Sequence, residues 1–283
     1  MTGKRPTGAP GRVREITSLA NPEIKAIRAL ALKKHRAETG LFMAEGLKLV
    51  IDALDSGWTM STFLHAKSAT QQPLVERTAA RAVAAGADVL QVSEKVLAAI
   101  ARRDNPQMAM GVFEQRWTPL AAIRPKDEEV YVALDRVRDP GNLGTIIRTA
   151  DAVGAKGVIL VGDCTDPFAT ETVRATMGSI FAMPLSRASA AEFLRWKASA
   201  GALVAGTHLQ GAVDYRTIAW PGRPVVLLMG NEQAGLPPEL ALGCEALARI
   251  PQAGRADSLN LAVATGVMLF EIRRHTLKLE PTP

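Results

Sequence analysis

Residues 130–162 read VYVALDRVRDPGNLGTIIRTADAVGAKGVILVG. VYVALDRV is an apolar run of strand length, GTIIRTADAVG places its apolar residues at helical spacing and closes on Gly154, and GVILVG is a second apolar run. Strands without polar alternation are buried on both faces, so a strand, helix, strand succession of this kind sets a parallel sheet covered by helices. Downstream the alternation continues. TETVRATMGSIF and FLRWKASAG predict helices, ALVAGTHL and PVVLLMG strands, PPELALGCEA a helix, LARIPQ a last strand, and SLNLAVATGVMLFEIRRHTLKL a long terminal helix.

Upstream, RWTPLAAIRPKDEE has two prolines and mixed charge and is expected to be a linker, over about residues 117–128. Before it lies a smaller α/β domain, residues 14–116. NPEIKAIRALALKKHRAETG and LFMAEGLKLVIDAL predict helices, TMSTFLHA and ADVLQV strands, LVERTAARAVAAG and SEKVLAAIAR helices, and MAMGVFEQR a closing strand. In the first of these helices Ile24, Ile27, Leu30 and Ala31 form an apolar stripe, with Lys25, Arg28, Lys33, Lys34 and Arg36 on the rest, a cationic face that suits phosphate contact. Residues 1–13, rich in Gly, Pro, Lys and Arg, are expected to be a disordered basic arm.

The chain has 283 residues, 47% of them hydrophobic, and 34 Lys and Arg against 28 Asp and Glu, for a net charge of +6. That is enough apolar residue for two cores and a balance that favours polyanionic partners. Two cysteines, Cys164 and Cys244, and four scattered histidines form no spacing of a metal site or disulfide framework, so no metal is expected and a reducing cytoplasm is. No run is long and apolar enough for a membrane span, and the start has no signal-peptide core.

Three stretches carry candidate chemistry. DRVRDPGNLGTIIR, residues 135–148, leaves the carboxyl end of a strand, where parallel sheets bind ligands; it offers Asn142 near the loop mouth and Arg148 on the following helix. A guanidinium forks onto phosphate oxygens with fixed geometry. LLMGNEQAGLPPEL, residues 227–240, runs a buried strand into Gly230 and then into Asn231, Glu232 and Gln233. IPQAGRADSLNLAVATG, residues 250–266, offers Ser258 as a helix N-cap and Asn260, an amide at an apolar helix start that needs a partner.

In this order NLGTIIRTADAVGA, LLMGNEQAGL and IPQAGRADSLNLAVA resemble the three motifs of the SpoU, or TrmH-type, branch of the SPOUT RNA methyltransferases. ETVRATMGSIFAMPL resembles that family's intervening helix and strand, and residues 14–115, with Asn105-Pro106-Gln107 near their end, resemble its substrate-binding domain. The resemblance implies a SPOUT domain over residues 129–283, with a deep trefoil knot. It also implies S-adenosyl-L-methionine as cofactor, RNA as partner with ribosomal RNA preferred over transfer RNA, and a homodimer through the terminal helix, where Leu259, Val263, Val267 and Phe270 recur at helical spacing.

The implied reaction is methyl transfer to a ribose 2'-hydroxyl. The resemblance assigns catalytic parts to Arg148, Asn142, Glu232, Ser258 and Asn260 and cofactor binding to Thr207, Gly230, Ile250 and Leu259. An arginine gives up its proton with great difficulty, so Arg148 is expected to grip phosphate and stabilise charge on the 2'-oxygen. Two alternatives stand beside this reading. One is an RNA-binding protein on the same scaffold without activity. The other is a nicotinamide-dependent oxidoreductase, which the absent GxGxxG fingerprint disfavours.

Overall fold

A computed structural model describes residues 10–208, 212–220, 222–255 and 258–279. Two compact units divide the chain: Met1–Gln115 with Phe168–Phe181, and Arg116–Pro167 with Ala182–Pro283. Residues 1–9 of the expected arm lie outside the described residues.

The first unit runs β1 (Val13–Ile16), α1 (Pro22–Ala29), α2 (Lys33–Thr39), β2 (Leu41–Glu45), α3 (Leu47–Asp55), β3 (Met60–Ala66), α4 (Pro73–Ala84), β4 (Asp88–Val92), α5 (Glu94–Ala101) and β5 (Ala109–Glu114). Its sheet has the order β1-β4-β3-β5-β2, with β1, β4 and β3 parallel and β5 antiparallel to β3 and β2. LFMAE, expected as helix, is β2. It pairs antiparallel with β5, and Gly46, at a φ of 113° that side chains rarely adopt, separates it from α3. The expected helix over residues 21–39 is two helices, and Arg36, expected on a cationic face, is buried and donates to Leu30 O at 2.8 Å. That carbonyl at the end of α1 needs a donor, and the guanidinium supplies one. β1 begins within the expected arm, where Gly11 N donates to Val83 O at 2.9 Å.

The second unit contains β6 (Val130–Asp135), α6 (Pro140–Ala152) and β7 (Val158–Val161). The segment holding α7 (Thr170–Ala175) belongs to the first unit. There Phe168 packs against Phe42 with the rings tilted, 4.8 Å between centroids, and Trp58 Nε1 donates to Phe181 O at 2.9 Å. The second unit resumes with β8 (Leu185–Ala188), α8 (Ala190–Ala200), β9 (Leu203–Thr207), β10 (Val213–Asp214), β11 (Val225–Met229), α9 (Pro238–Leu242), β12 (Ala246–Arg249) and α10 (Leu261–Ile272). Its strands form a parallel sheet ordered β10-β12-β9-β11-β6-β7-β8. The later strand β12 thus lies between two earlier ones, an order that simple sequential wrapping of βα units does not give.

Every residue of β6, β7 and β11 is buried, as the unbroken apolar runs require. Residues 117–128, expected as a linker, pack within the second unit. Ile123 is buried, its carbonyl accepts from Trp196 Nε1 at 3.2 Å, and Arg187 lies over the Trp117 ring.

Candidate active site

β6, β11, β9 and β12 are parallel neighbours, so their carboxyl ends share one edge of the sheet. Leu134 pairs with Met229, Leu228 with Gly206, and Ala248 with Thr207. The three chemically promising stretches leave from this edge: Arg136–Asp139 after β6, Gly230 onward after β11, and Ile250 onward after β12. Such an edge is where open parallel sheets bind ligands.

The loop after β6 turns abruptly. Arg136 takes a φ of 47°, and its guanidinium closes on buried Asp135 at 2.8 Å, which holds the arginine's pKa above its ordinary value through a hydrogen bond and charge. α6 then starts at Pro140, four residues before the expected GTIIR start. Asp139 is its N-cap and accepts from Asn142 N at 2.6 Å, with proline in the first helical position where no N–H is needed.

Asn142, Glu232 and Asn260, far apart in sequence, are joined. Asn260 Nδ2 donates to Asn142 Oδ1 at 2.9 Å, and Asn142 Nδ2 donates to Glu232 Oε1 at 3.4 Å. The Glu232 carboxylate also accepts from the backbone N–H groups of Arg138 and Asp139, at 3.3 Å each. Asn260, not Ser258, is the N-cap of α10: its Oδ1 accepts from Ala262 N at 2.9 Å and Val263 N at 3.3 Å. The expected cap was two residues early because Asn260 serves both purposes, one end of its amide closing the helix and the other reaching α6. Ser258 is exposed beside it.

Asn231, one of the three polar residues after β11 and not among the residues to which the resemblance assigns a part, belongs to the site as well. Its Nδ2 donates to Arg136 O at 2.8 Å, and its Oδ1 accepts from Gln233 N and Ala234 N at 3.0 Å. It therefore ties the second loop to the strained first one. The available signal was the cluster of three polar residues closing a wholly apolar strand.

Arg148 sits on α6, exposed, and its side chain has no hydrogen bond or ion pair among the described residues. Its donors are all available to a partner. Thr207 ends β9 and its Oγ1 lies 3.6 Å from Met229 Sδ; Ile250 follows β12 half-buried, and Leu259 is 39% exposed. A Cβ on Gly230 would stand 2.4 Å from Gly235 C and Leu236 N, so the turn after β11 folds back over a strand end where only glycine fits. The structure thus brings Asn142, Glu232 and Asn260 into contact and sets Thr207, Gly230 and Ile250 at the ends of adjacent strands. Among the described residues no group of three or more His, Cys, Asp or Glu side chains could hold a metal ion.

Comparison with known proteins gives a consistent picture. Residues 129–270 match the SpoU rRNA Methylase family and residues 21–111 the MRM3-like substrate binding domain. The chain is 32% identical over 261 residues to the 23S rRNA (guanosine(2553)-2'-O)-methyltransferase RlmP of Bacillus subtilis, covering 92% of this chain and 100% of the relative. A crystal structure of an AdoMet-bound rRNA methyltransferase from Sinorhizobium meliloti is 66% identical, with a TM-score of 0.90, covering 94% of this chain and 99% of that one. The SpoU methyltransferase AviRb from Streptomyces viridochromogenes, in complex with AdoMet, is 29% identical with a TM-score of 0.81, covering 90% and 97%.

Proposed function

The chain belongs to the SpoU rRNA Methylase family, and from that premise we propose that it transfers a methyl group from S-adenosylmethionine to a ribose 2'-hydroxyl of ribosomal RNA. Residues 14–116 would take the RNA and residues 129–283 the chemistry, in the cytoplasm, where ribosomal RNA is reached without crossing a membrane. No described helix is long and apolar enough to span one. The observation that carries the reading is the chain of hydrogen bonds from Asn260 through Asn142 to Glu232, with Asn142 on the helix that also presents Arg148, whose side chain has no partner among the described residues.

The residues present fit the cofactor. Strand-end backbone at Thr207, Gly230 and Ile250 suits the polar edge of an adenine, and the partly exposed Ile250 and Leu259 side chains suit its flat faces. When bound, S-adenosylmethionine supplies an electrophilic methyl group on a sulfonium. The chain's own task is then alignment and charge stabilisation, and orientation alone can lower a barrier by about 7–11 kcal/mol in favourable cases.

Both ends of the Asn142 amide and much of the Glu232 carboxylate are engaged inside the protein, so these residues act by fixing loops. Asn260 braces α10 against α6, with Ser258 alongside. Arg148, with no side-chain partner among the described residues, would clamp the phosphate beside the target ribose and stabilise negative charge developing on the 2'-oxygen.

Two further readings belong to the same proposal. β12 lying between β9 and β10 supports a carboxyl-terminal trefoil knot. On α10, Leu261, Ala262, Met268 and Leu269 are buried while Val263 and Phe270 are 54% and 55% exposed, an apolar stripe that a second copy would cover in a homodimer. Sedimentation should give twice the chain mass, and Phe270→Glu should halve it. Mapping 2'-O-methyl sites in ribosomal RNA from cells with and without the gene tests the main reading; a site that disappears with the gene is expected, and an unchanged map would end it.

A further inference from the structure

Several cations on the first unit are engaged where they stand. On α3 and α4, Lys48 pairs with Asp52 at 2.6 Å and Arg81 with Asp55 at 2.7 Å, while Arg77 Nε donates to the Pro73 carbonyl one turn back. The strand cations behave alike: Arg14 bridges Glu23 and Asp88 at 2.9 Å, and Lys67 meets Glu15 at 2.8 Å. On α2, Lys34 and His35 both approach Glu38.

Arg12 is exposed without a side-chain partner among the described residues, and five further such cations belong to one pair of helices. α1 and α5 are in contact; α1 buries Ile24 and Ile27, and α5 buries Val96, Leu97 and Ile100. Lys25 and Arg28 on α1, Lys95 on α5, and Arg102 and Arg103 just beyond it are all exposed, and none has a side-chain ion pair or hydrogen bond among the described residues. Lys25 and Arg28 are one turn apart; Lys95 and Arg102 are two turns apart on one stripe whose intervening members, Ala98 and Ala99, are small. Small residues between cations leave room for a broad polyanion to lie close.

Arg102 supplies an independent observation. It closes α5 in the left-handed conformation, at φ 56° and ψ 43°, whereas α2 and α8 close in the same conformation with glycines, Gly40 and Gly201. That backbone is free for glycine and unfavourable for arginine. An arginine held there, exposed and without a side-chain partner among the described residues, gives up local stability that glycine would keep, as residues at binding sites often do.

We propose that the α1/α5 surface, with Lys25, Arg28, Lys95, Arg102 and Arg103, is where the first unit grips the phosphate backbone of its RNA. The inference rests on the ribosomal RNA reading and adds to it the surface that carries the contact. The grip is electrostatic and independent of base sequence, and each phosphate contact releases counterions.

The test compares two full-chain variants with equal loss of charge: Lys25→Gln/Arg28→Gln/Lys95→Gln, and Lys48→Gln/Arg77→Gln/Arg81→Gln. Binding to purified 23S ribosomal RNA lacking the modification is followed as a function of salt. The first variant should lose at least about tenfold in affinity at low salt and flatten the slope of log K against log salt by about 2, at roughly 0.7 to 0.9 per lost contact. The second should keep the wild-type slope, since its cations are already occupied.

Arg102→Gly should bind RNA more weakly while melting at an unchanged or higher temperature, a combination that a purely structural arginine would not give. Equal losses in the two triple variants, or an Arg102→Gly chain that binds normally, would overturn the proposed surface while leaving methyl transfer intact. A wild-type chain whose RNA binding ignores salt would overturn the surface and the ribosomal RNA reading together.

Discussion

At the strand-end edge of the second unit four polar side chains are bonded to one another and to loop backbone, whereas on the α1/α5 surface of the first unit five cations have no partner among the described residues. Asn142, Glu232, Asn260 and Asn231 direct their amides and carboxylate at each other and at loop backbone. Lys25, Arg28, Lys95, Arg102 and Arg103 direct theirs at solvent. The difference separates two jobs. Holding reacting atoms in line needs a geometry fixed before the substrate arrives; holding a long polyanion needs charge that is still available when it does. Arg148 differs from that bonded set: among the described residues its side chain has no partner, although the first turn of its helix is bonded on several sides.

That exception supplies the largest expected effect. Arg148→Ala should lower turnover by about a hundredfold to a thousandfold, as losing one preorganised donor does, while calorimetry finds cofactor affinity unchanged. A collapse of cofactor affinity would place Arg148 with the holding residues and erase its distinction from Asn142.

Next in size, Gly230→Ala forces a Cβ against the backbone at Gly235 and Leu236 and should destabilise the second unit by about 1–3 kcal/mol, with weaker cofactor binding. An unchanged thermal midpoint would mean the turn relaxes without consequence. A double-mutant cycle of Asn142→Ala and Asn260→Ala sharpens the contrast further. The Asn260 change alone removes a helix cap worth about 0.5–2 kcal/mol, and the pair should be non-additive by about 0.5 kcal/mol or more because one hydrogen bond joins them. Strict additivity would show that the contact carries no energy.

The smallest effect lies in the first unit and depends on pH. Burial holds the His65 pKa below its ordinary 6.5, so the folded unit binds fewer protons there than the unfolded chain. Its contribution to stability is complete above about pH 6.5 and is lost as pH falls through the lowered value. Thermal melts should show the midpoint falling below about pH 6.5, and His65→Gln should flatten that dependence; identical profiles would remove His65 as the cause.

β6, β7 and β11 of the second unit were legible because these strands are buried on both faces and separate cleanly from helices of mixed composition, whereas β10, VD, is two residues long and has no such pattern. The three site stretches were legible for the same reason, being polar interruptions at apolar strand ends. LFMAE was read as helix because its apolar residues run into those of α3, and the break at Gly46 carries meaning only once its positive φ is seen. β1, VREI, has too many charges to announce a strand and is defined by pairing with β4, a contact between residues more than seventy positions apart. The membership of Phe168–Phe181 in the first unit rests on aromatic contacts with Phe42 and Trp58, and no local pattern reports tertiary contacts of that range. In the sequence Asn260 is an amide in need of partners and Ser258 the expected cap; both residue types cap helices, and only geometry chooses between them.

The central claim is that the bonded loops ready Arg148 for chemistry at a ribose oxygen. It is tested most directly by incubating the chain with unmodified 23S ribosomal RNA and methyl-labelled S-adenosylmethionine, then digesting the product with alkali, which cannot cleave beside a 2'-O-methyl group. The expected result is label retained in one alkali-resistant dinucleotide, and none with Arg148→Ala. Label recovered on a base, or equal labelling by the Arg148→Ala chain, would contradict it.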